Sequence, residues 1–128
     1  MHLNQIGQIA LAVSDTDRSE AFYEQVLGLR KLYRFGDLVF FDCAGVRLFL
    51  SKATSLPPPA PGNCIYFRCA DLALSIADLA KRGVIFSSGP SLIAEMDDHD
   101  LWMAFFNDPD GHMLALMQEA PKGYRPTS

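Results

Sequence analysis

The chain reads as one pattern written twice, and that repeat limits its fold more than any other feature. QIALAVSD (8–15) aligns with CIYFRCAD (64–71), and each is followed by a helix-period stretch ending in a glycine, Gly28 and Gly83. FFDCAGVRLFL (40–50) aligns with FFNDPDGHMLALM (105–117), with two extra residues in the second turn. The match is one of pattern, with few identities. A single copy could not bury both its helix stripe and its sheet face, so two copies are the simplest unit.

Within the first copy, alternation predicts a strand over 6–13. Phe22, Tyr23, Val26 and Leu27 then share one face of a helix over 16–27. Gly28 stands where a helix C′ residue can take positive φ. Three short strands follow at 29–35, 38–42 and 46–51, with Gly36-Asp37 and Ala44-Gly45 as turns. Residues 52–62 hold a proline-rich stretch, which the fixed φ of proline makes a stiff, extended linker.

In the second copy 64–69 is a strand. Leu72, Ile76, Leu79 and Ala80 mark an amphipathic helix, with Asp71 as N-cap and Gly83 as C′. Further strands are expected near 85–88, 100–107 and 112–118. An irregular connection is expected over 89–98, and Asp108-Pro-Asp-Gly111 is a turn. The fold class is therefore α+β: one domain over 1–128, with module one at about 6–51, the linker at 52–62 and module two at about 63–118. Each module has the order βαβββ.

Composition narrows the function classes. Hydrophobic residues make up 49%, too many for a disordered chain. A net charge of −4, with no Lys/Arg run, argues against nucleic acid as a partner. No stretch approaches the ~20 apolar residues of a membrane span, and the N-terminal segment reads as a strand, not a signal peptide. Cys43, Cys64 and Cys69 are odd in number and form no CxxC, which suggests reduced thiols in the cytoplasm.

Several segments resemble the vicinal oxygen chelate superfamily, the glyoxalase/bleomycin resistance protein/dioxygenase family. They are IALAVSD (9–15), RSEAFY (18–23), VLGL (26–29), AKRGV (80–84) and FNDPDG (106–111). The resemblance implies that each module curls its sheet into half of a ligand-holding cup, with the helices on the outer face. In metal-dependent members, ligands come from the first and last strands of each module. By position these are Gln8, Phe49, Cys64 and Ala115. Only Gln8 matches the usual His, Gln or Glu. Cys64 could bind as a thiolate, while Phe49 and Ala115 cannot coordinate.

Strand parity then fixes a lining for the implied cup. If Gln8 faces it, so do Ala10 and Ala12, with Arg47, Phe49 and Ser51 on the fourth strand. Cys64, Tyr66 and Arg68 line the second half with Met113, Ala115 and Met117. Apolar walls with a few polar anchors suit a small organic molecule. Ile93 to Trp102 is read either as a solvated surface loop or as a flap. A flap would offer His99 or Glu95 as general acid or base and Trp102 as an aromatic wall.

The leading expectation is a small-molecule-binding protein or an enzyme needing no metal and no other cofactor. Its ligand-binding set would be Gln8, Arg47, Phe49, Cys64, Tyr66, Arg68, Trp102, Met113 and Ala115. The ligand would carry an anion, and the chain would form a homodimer. The alternative is a metal-dependent lyase, isomerase or dioxygenase using Gln8 with non-standard partners such as His99 or Glu95. A third option is sequestration of a cationic drug, as in bleomycin resistance; the acidic loop favours it and the two arginines oppose it.

Overall fold

The computed structural model describes residues 1–56 and 62–126. The chain divides into two compact units, Met1–Pro58 and Pro59–Ser128. The division falls in the proline-rich stretch, of which residues 57–61 lie outside the described residues.

The first unit runs β1 (Gln8–Val13), α1 (Thr16–Ala21) with a π-helical turn (Phe22–Val26), β2 (Arg30–Phe35), β3 (Leu38–Cys43) and β4 (Val46–Lys52). Its sheet order is β1-β4-β3-β2, with β1 parallel to β4 and the other pairs antiparallel. The second unit runs β5 (Cys64–Arg68), α2 (Leu72–Lys81), β6 (Ser88–Glu95), β7 (Asp100–Asn107) and β8 (Met113–Ala120). Its order is β5-β8-β7-β6, again with one parallel pair, β5 and β8. Both units are βαβββ modules with the same strand order, as the repeat in the sequence requires.

The same local chemistry starts both helices. Asp15 and Asp71 have nearly identical extended backbones, φ −142° in each, and each carboxylate accepts a bond from the backbone N–H three residues on. Gly28 and Gly83 follow the helical stretches with φ of 78° and 97°, a region costly for any residue with a Cβ.

In each module one sheet face packs against the helix. In module one this face buries Val13, Val39, Phe41, Leu48 and Leu50, and Tyr23 meets the Phe41 ring at 6.1 Å. In module two it buries Trp102, Ala104, Phe106, Leu114 and Leu116 with Leu72 and Leu79 of α2. Period-two alternation leaves the opposite face of each sheet to the remaining residues.

Module two departs from expectation at its sixth strand. The strand expected at 85–88 lies instead at Ser88–Glu95, inside the stretch read as an irregular connection, and Ile85 is exposed. Its pairing with β7 shifts register twice, between Ser88 and Ser91 and between Leu92 and Ala94. Bulges of this kind break the alternation by which a strand is recognised. The stretch read as a loop or flap is thus largely a β-hairpin, β6–β7, closed by a tight turn in which Met96 N–H donates to the His99 carbonyl at 2.8 Å.

Candidate functional site on the open sheet faces

Burial alternates on β1 and β4 in the sense expected from the sequence, whereas β8 buries Leu114, Ala115 and Leu116 in succession. Gln8, Ala10 and Ala12 are exposed, while Ile9, Leu11 and Val13 turn toward the helix side. Arg47 is exposed and Phe49 half-buried, flanking the buried Leu48. In module two Tyr66 and Arg68 are exposed, and Met113 is 39% exposed next to the buried Leu114.

The register places Gln8 opposite Arg47 and Ala10 opposite Phe49. It places Cys64 opposite Met113 and Tyr66 opposite Ala115. Gln8 and Phe49 are thus related in module one as Cys64 and Ala115 are in module two: diagonal neighbours on the parallel strand pair.

The open face of module one carries a continuous row of rings. Phe35 lies 5.2 Å from Tyr33, Tyr33 4.8 Å from Phe40, and Phe40 stacks on Phe49 at 4.6 Å with planes 12° apart. The Arg47 guanidinium carbon sits 5.9 Å from the Phe40 ring centre, within cation–π range. Among the described residues Arg47 has no carboxylate in ion-pair range. Tyr33, Phe35 and Phe40 were missed by sequence reasoning, although a signal existed. The two-residue turn Ala44-Gly45 fixes the β3–β4 register, and counting back from it pairs Phe40 with Phe49.

The open face of module two is built differently. Tyr66 meets Phe105 edge-on at 6.1 Å. Arg68 is already paired, its guanidinium 3.2 Å from Glu119 Oε1. The other Glu119 oxygen lies 3.9 Å from His99 Nε2, and His99 Nδ1 lies 2.8 Å from Asp98 Oδ1. Contact with His99 holds the Asp98 carboxyl below the usual carboxylate range. The structure thus brings two of the expected site residues, Arg68 and His99, onto a shared carboxylate, Glu119, which sequence reasoning did not single out.

Two expected residues do not join this face. Trp102 has the parity of the buried Ala104 and Phe106; it is 9% exposed and meets Tyr124 edge-on at 6.3 Å, on the helix side. Glu95 ends β6 in register with Asp100, so its side chain shares the side of Asp100, away from Glu119. Asp100 itself is buried. It pairs with Lys122 and accepts from Gly123 N–H at 3.2 Å, while Lys122 Nζ also donates to the Met96 carbonyl at 2.9 Å. The segment after β8 is thereby fastened to the hairpin turn.

The four positions at which the family resemblance implies metal ligands do not fit a divalent ion. Phe49 and Ala115 have no donor atom, and their carbon surfaces are engaged in ring stacking and in complete burial. The Cys64 thiol donates to the Ile65 carbonyl, with S···O 3.7 Å, and burial pushes its pKa up, which opposes the thiolate a metal needs. Among the described residues no group of three or more His, Cys, Asp or Glu side chains is placed to hold an ion.

With this geometry in place, the comparisons identify the class. The model of the Glyoxalase/Bleomycin resistance protein/Dioxygenase superfamily matches residues 5–116, and the chain belongs to that superfamily. It is 28% identical over 121 residues to the metallothiol transferase FosB of Lysinibacillus sphaericus, covering 88% of this chain and 80% of that protein. It is 25% identical over 116 residues to the glutathione transferase FosA of Serratia marcescens, covering 89% and 80%. Among solved structures it is similar in fold to TnmS3, an antibiotic-binding protein from Streptomyces sp. CB03234. The TM-score there is 0.74 at 24% identity, with coverage of 94% of this chain and 99% of that one. Among the described residues no helix is long and apolar enough to cross a membrane.

Proposed function

We propose that the chain binds a small organic molecule bearing an anionic group on its open sheet faces, as a binding protein or as an enzyme that uses no metal. One observation carries this reading. The residues on the implied ligand-facing side are apolar or aromatic and carry exposed arginines, Arg47 and Arg68, while the donors that a metal site would need are replaced by Phe49 and Ala115. Apolar walls with few polar anchors are the usual chemistry of a small-molecule site. An arginine beside such walls favours a planar anion through charge-assisted, often bidentate bonds. The names of FosB and FosA, both transferases, keep group-transfer chemistry within this proposal.

Exposed Leu92 and Ile93 on the edge strand β6 supply apolar surface for a homodimer, which light scattering would register as twice the chain mass. The three free thiols suit a reducing, cytoplasmic setting.

The test of function is a panel of small carboxylates and their neutral analogues, screened by thermal shift on the wild type, Arg47→Ala and Arg68→Ala. Loss of the anchoring arginine should weaken carboxylate binding by about 1.5–3 kcal/mol. Equal shifts for charged and neutral compounds would reject the anionic group. Elemental analysis finding one divalent metal per chain, lost in Gln8→Ala, would instead favour the metal-dependent alternative.

A further inference from the structure

We propose that the open face of module one is a stacking platform for a planar aromatic carboxylate, anchored by Arg47 and not by Arg68. The inference deepens the small-molecule reading and rests on it. Its basis is a contrast in charge. Arg68 is already neutralised by Glu119 at 3.2 Å, and Glu119 is in turn approached by His99. Arg47 has the Phe40 ring beside it and Asp42 across the β3–β4 register, whose carboxylate accepts from Gly45 N–H; among the described residues it forms no ion pair. An exposed guanidinium that forms no ion pair among the described residues, over an aromatic row, is complementary to an anion attached to a π system.

The register supplies the footprint. β1 ends its sheet, and among the described residues it pairs with β4 alone. Its Ala10 is the partner of Phe49 and its Ala12 the partner of Ser51. The row Phe35–Tyr33–Phe40–Phe49 therefore steps down at Ala10, whose methyl group leaves room beside the Phe49 ring. Two residues back along the same strands, Gln8 stands opposite Arg47. An apolar end at Ala10–Phe49 and a polar end at Gln8–Arg47 are thus separated by about 7 Å along the strands. That is roughly the span of an aryl carboxylate, with its ring against Phe49 and its carboxylate shared by the guanidinium and the Gln8 amide. Offset stacking on Phe49 rewards a flat ring over a puckered one of equal size.

The experiment titrates three probes against the full chain by isothermal calorimetry: 2-naphthoate, neutral 2-naphthylmethanol and non-planar cyclohexanecarboxylate. 2-Naphthoate is expected to bind at least tenfold more tightly than either of the others. Arg47→Ala should erase its advantage over naphthylmethanol, and Arg68→Ala should reduce it less than Arg47→Ala does. Ala10→Leu fills the step from an exposed position without removing any packed group, and it should abolish naphthoate binding while the melting temperature is kept. Equal affinity for cyclohexanecarboxylate would overturn the planar platform, and so would a loss in Arg68→Ala with none in Arg47→Ala; both leave the broader anion-binding reading standing. Naphthoate without effect, together with a dimer that Ala10→Leu converts to monomer in light scattering, would overturn it in favour of a second copy of the chain on this face.

Discussion

The two modules share a strand order, a helix cap and a register, yet they spend their open faces differently. Module one presents four rings in a row and a guanidinium with no carboxylate in range among the described residues. Module two presents two rings edge-on and ties its guanidinium into a chain of Arg68, Glu119, His99 and Asp98. The difference extends to the helix sides. α1 is held by Thr16, whose hydroxyl donates to the Asp37 carbonyl at 3.0 Å, and by ion pairs from Arg34 to Asp17 and Glu20. α2 is held by Gln118, which accepts from Leu72 N–H at 2.8 Å and donates to the Ala70 carbonyl at 2.9 Å. The shared features are those the backbone demands. The divergent ones are side chains, where each copy was free to specialise.

The largest break in the comparison should come at a glycine. In module two, a Cβ on Gly89 would sit 2.6 Å from the Met103 carbonyl oxygen and 2.7 Å from Ala104 Cα, at φ +95°. Both obstacles are backbone, so β6 would have to leave β7. Gly36 in the β2–β3 turn also has positive φ, but open space around it. Gly89→Ala should cost about 2–5 kcal/mol, adding strain to overpacking. Gly36→Ala should cost about 1–2 kcal/mol from handedness alone. Urea melts of both variants decide this, and equal losses would mean that β6 can shift to relieve the clash.

Next in size is the tether of each helix. Gln118 is 7% exposed and serves two backbone groups at the start of α2. Gln118→Ala leaves both unpaired, at a cost of about 1–3 kcal/mol. Thr16 serves one group, and Thr16→Val should cost about 0.5–1.5 kcal/mol. A reversed ranking in denaturant melts would show that water replaces the glutamine amide.

The clasp after β8 should show itself by pH. Lys122 and Gly123 N–H hold the Asp100 carboxyl below its usual range. A depressed folded-state pKa contributes stability above the unfolded value, about 3.9, and that contribution disappears as pH falls through the folded value. Asp100→Asn should therefore lower the melting temperature at pH 7, with the gap to wild type closing toward acid. A gap independent of pH would assign the effect to shape and not to charge.

Most of the architecture was legible because it depends on period and punctuation. Alternation at Ile9, Leu11 and Val13, the cap at Asp71, and glycines at 28 and 83 are local signals, and each holds. β6 was not legible, because Gly89-Pro90 carries a turn signal and the two register shifts erase the alternation. Trp102, expected as an aromatic wall if the stretch were a flap, lies on the paired strand β7 and is buried against Tyr124. On β4 and β5 the count along each strand puts Arg47 and Arg68 at outward positions, and both side chains are exposed. Their states of charge were not legible, since the Glu119 partner of Arg68 comes from β8 and pairs only through the β5–β8 register.

The smallest expected effect on stability tests the contrast between the arginines most directly. Arg68 and Glu119 are both well exposed, with side chains at 70% and 39%. A surface pair of this kind is worth about 0–1 kcal/mol, so Glu119→Gln should hardly move the melting temperature. Its effect on charge is larger. Among the described residues it removes the carboxylate paired with Arg68 and leaves His99 with Asp98 as its acidic neighbour. Module two would then resemble module one, with an exposed guanidinium near the Tyr66–Phe105 pair. Small carboxylates should gain a second, weaker site in Glu119→Gln, and that site should persist when Arg47→Ala is added. Calorimetric stoichiometry rising from one toward two per chain is the expected result. A stoichiometry that stays at one would mean that the arrangement of rings, and not the neutralising glutamate, distinguishes the two faces. The scarcity of stacked rings in module two would then be the decisive difference between the two copies.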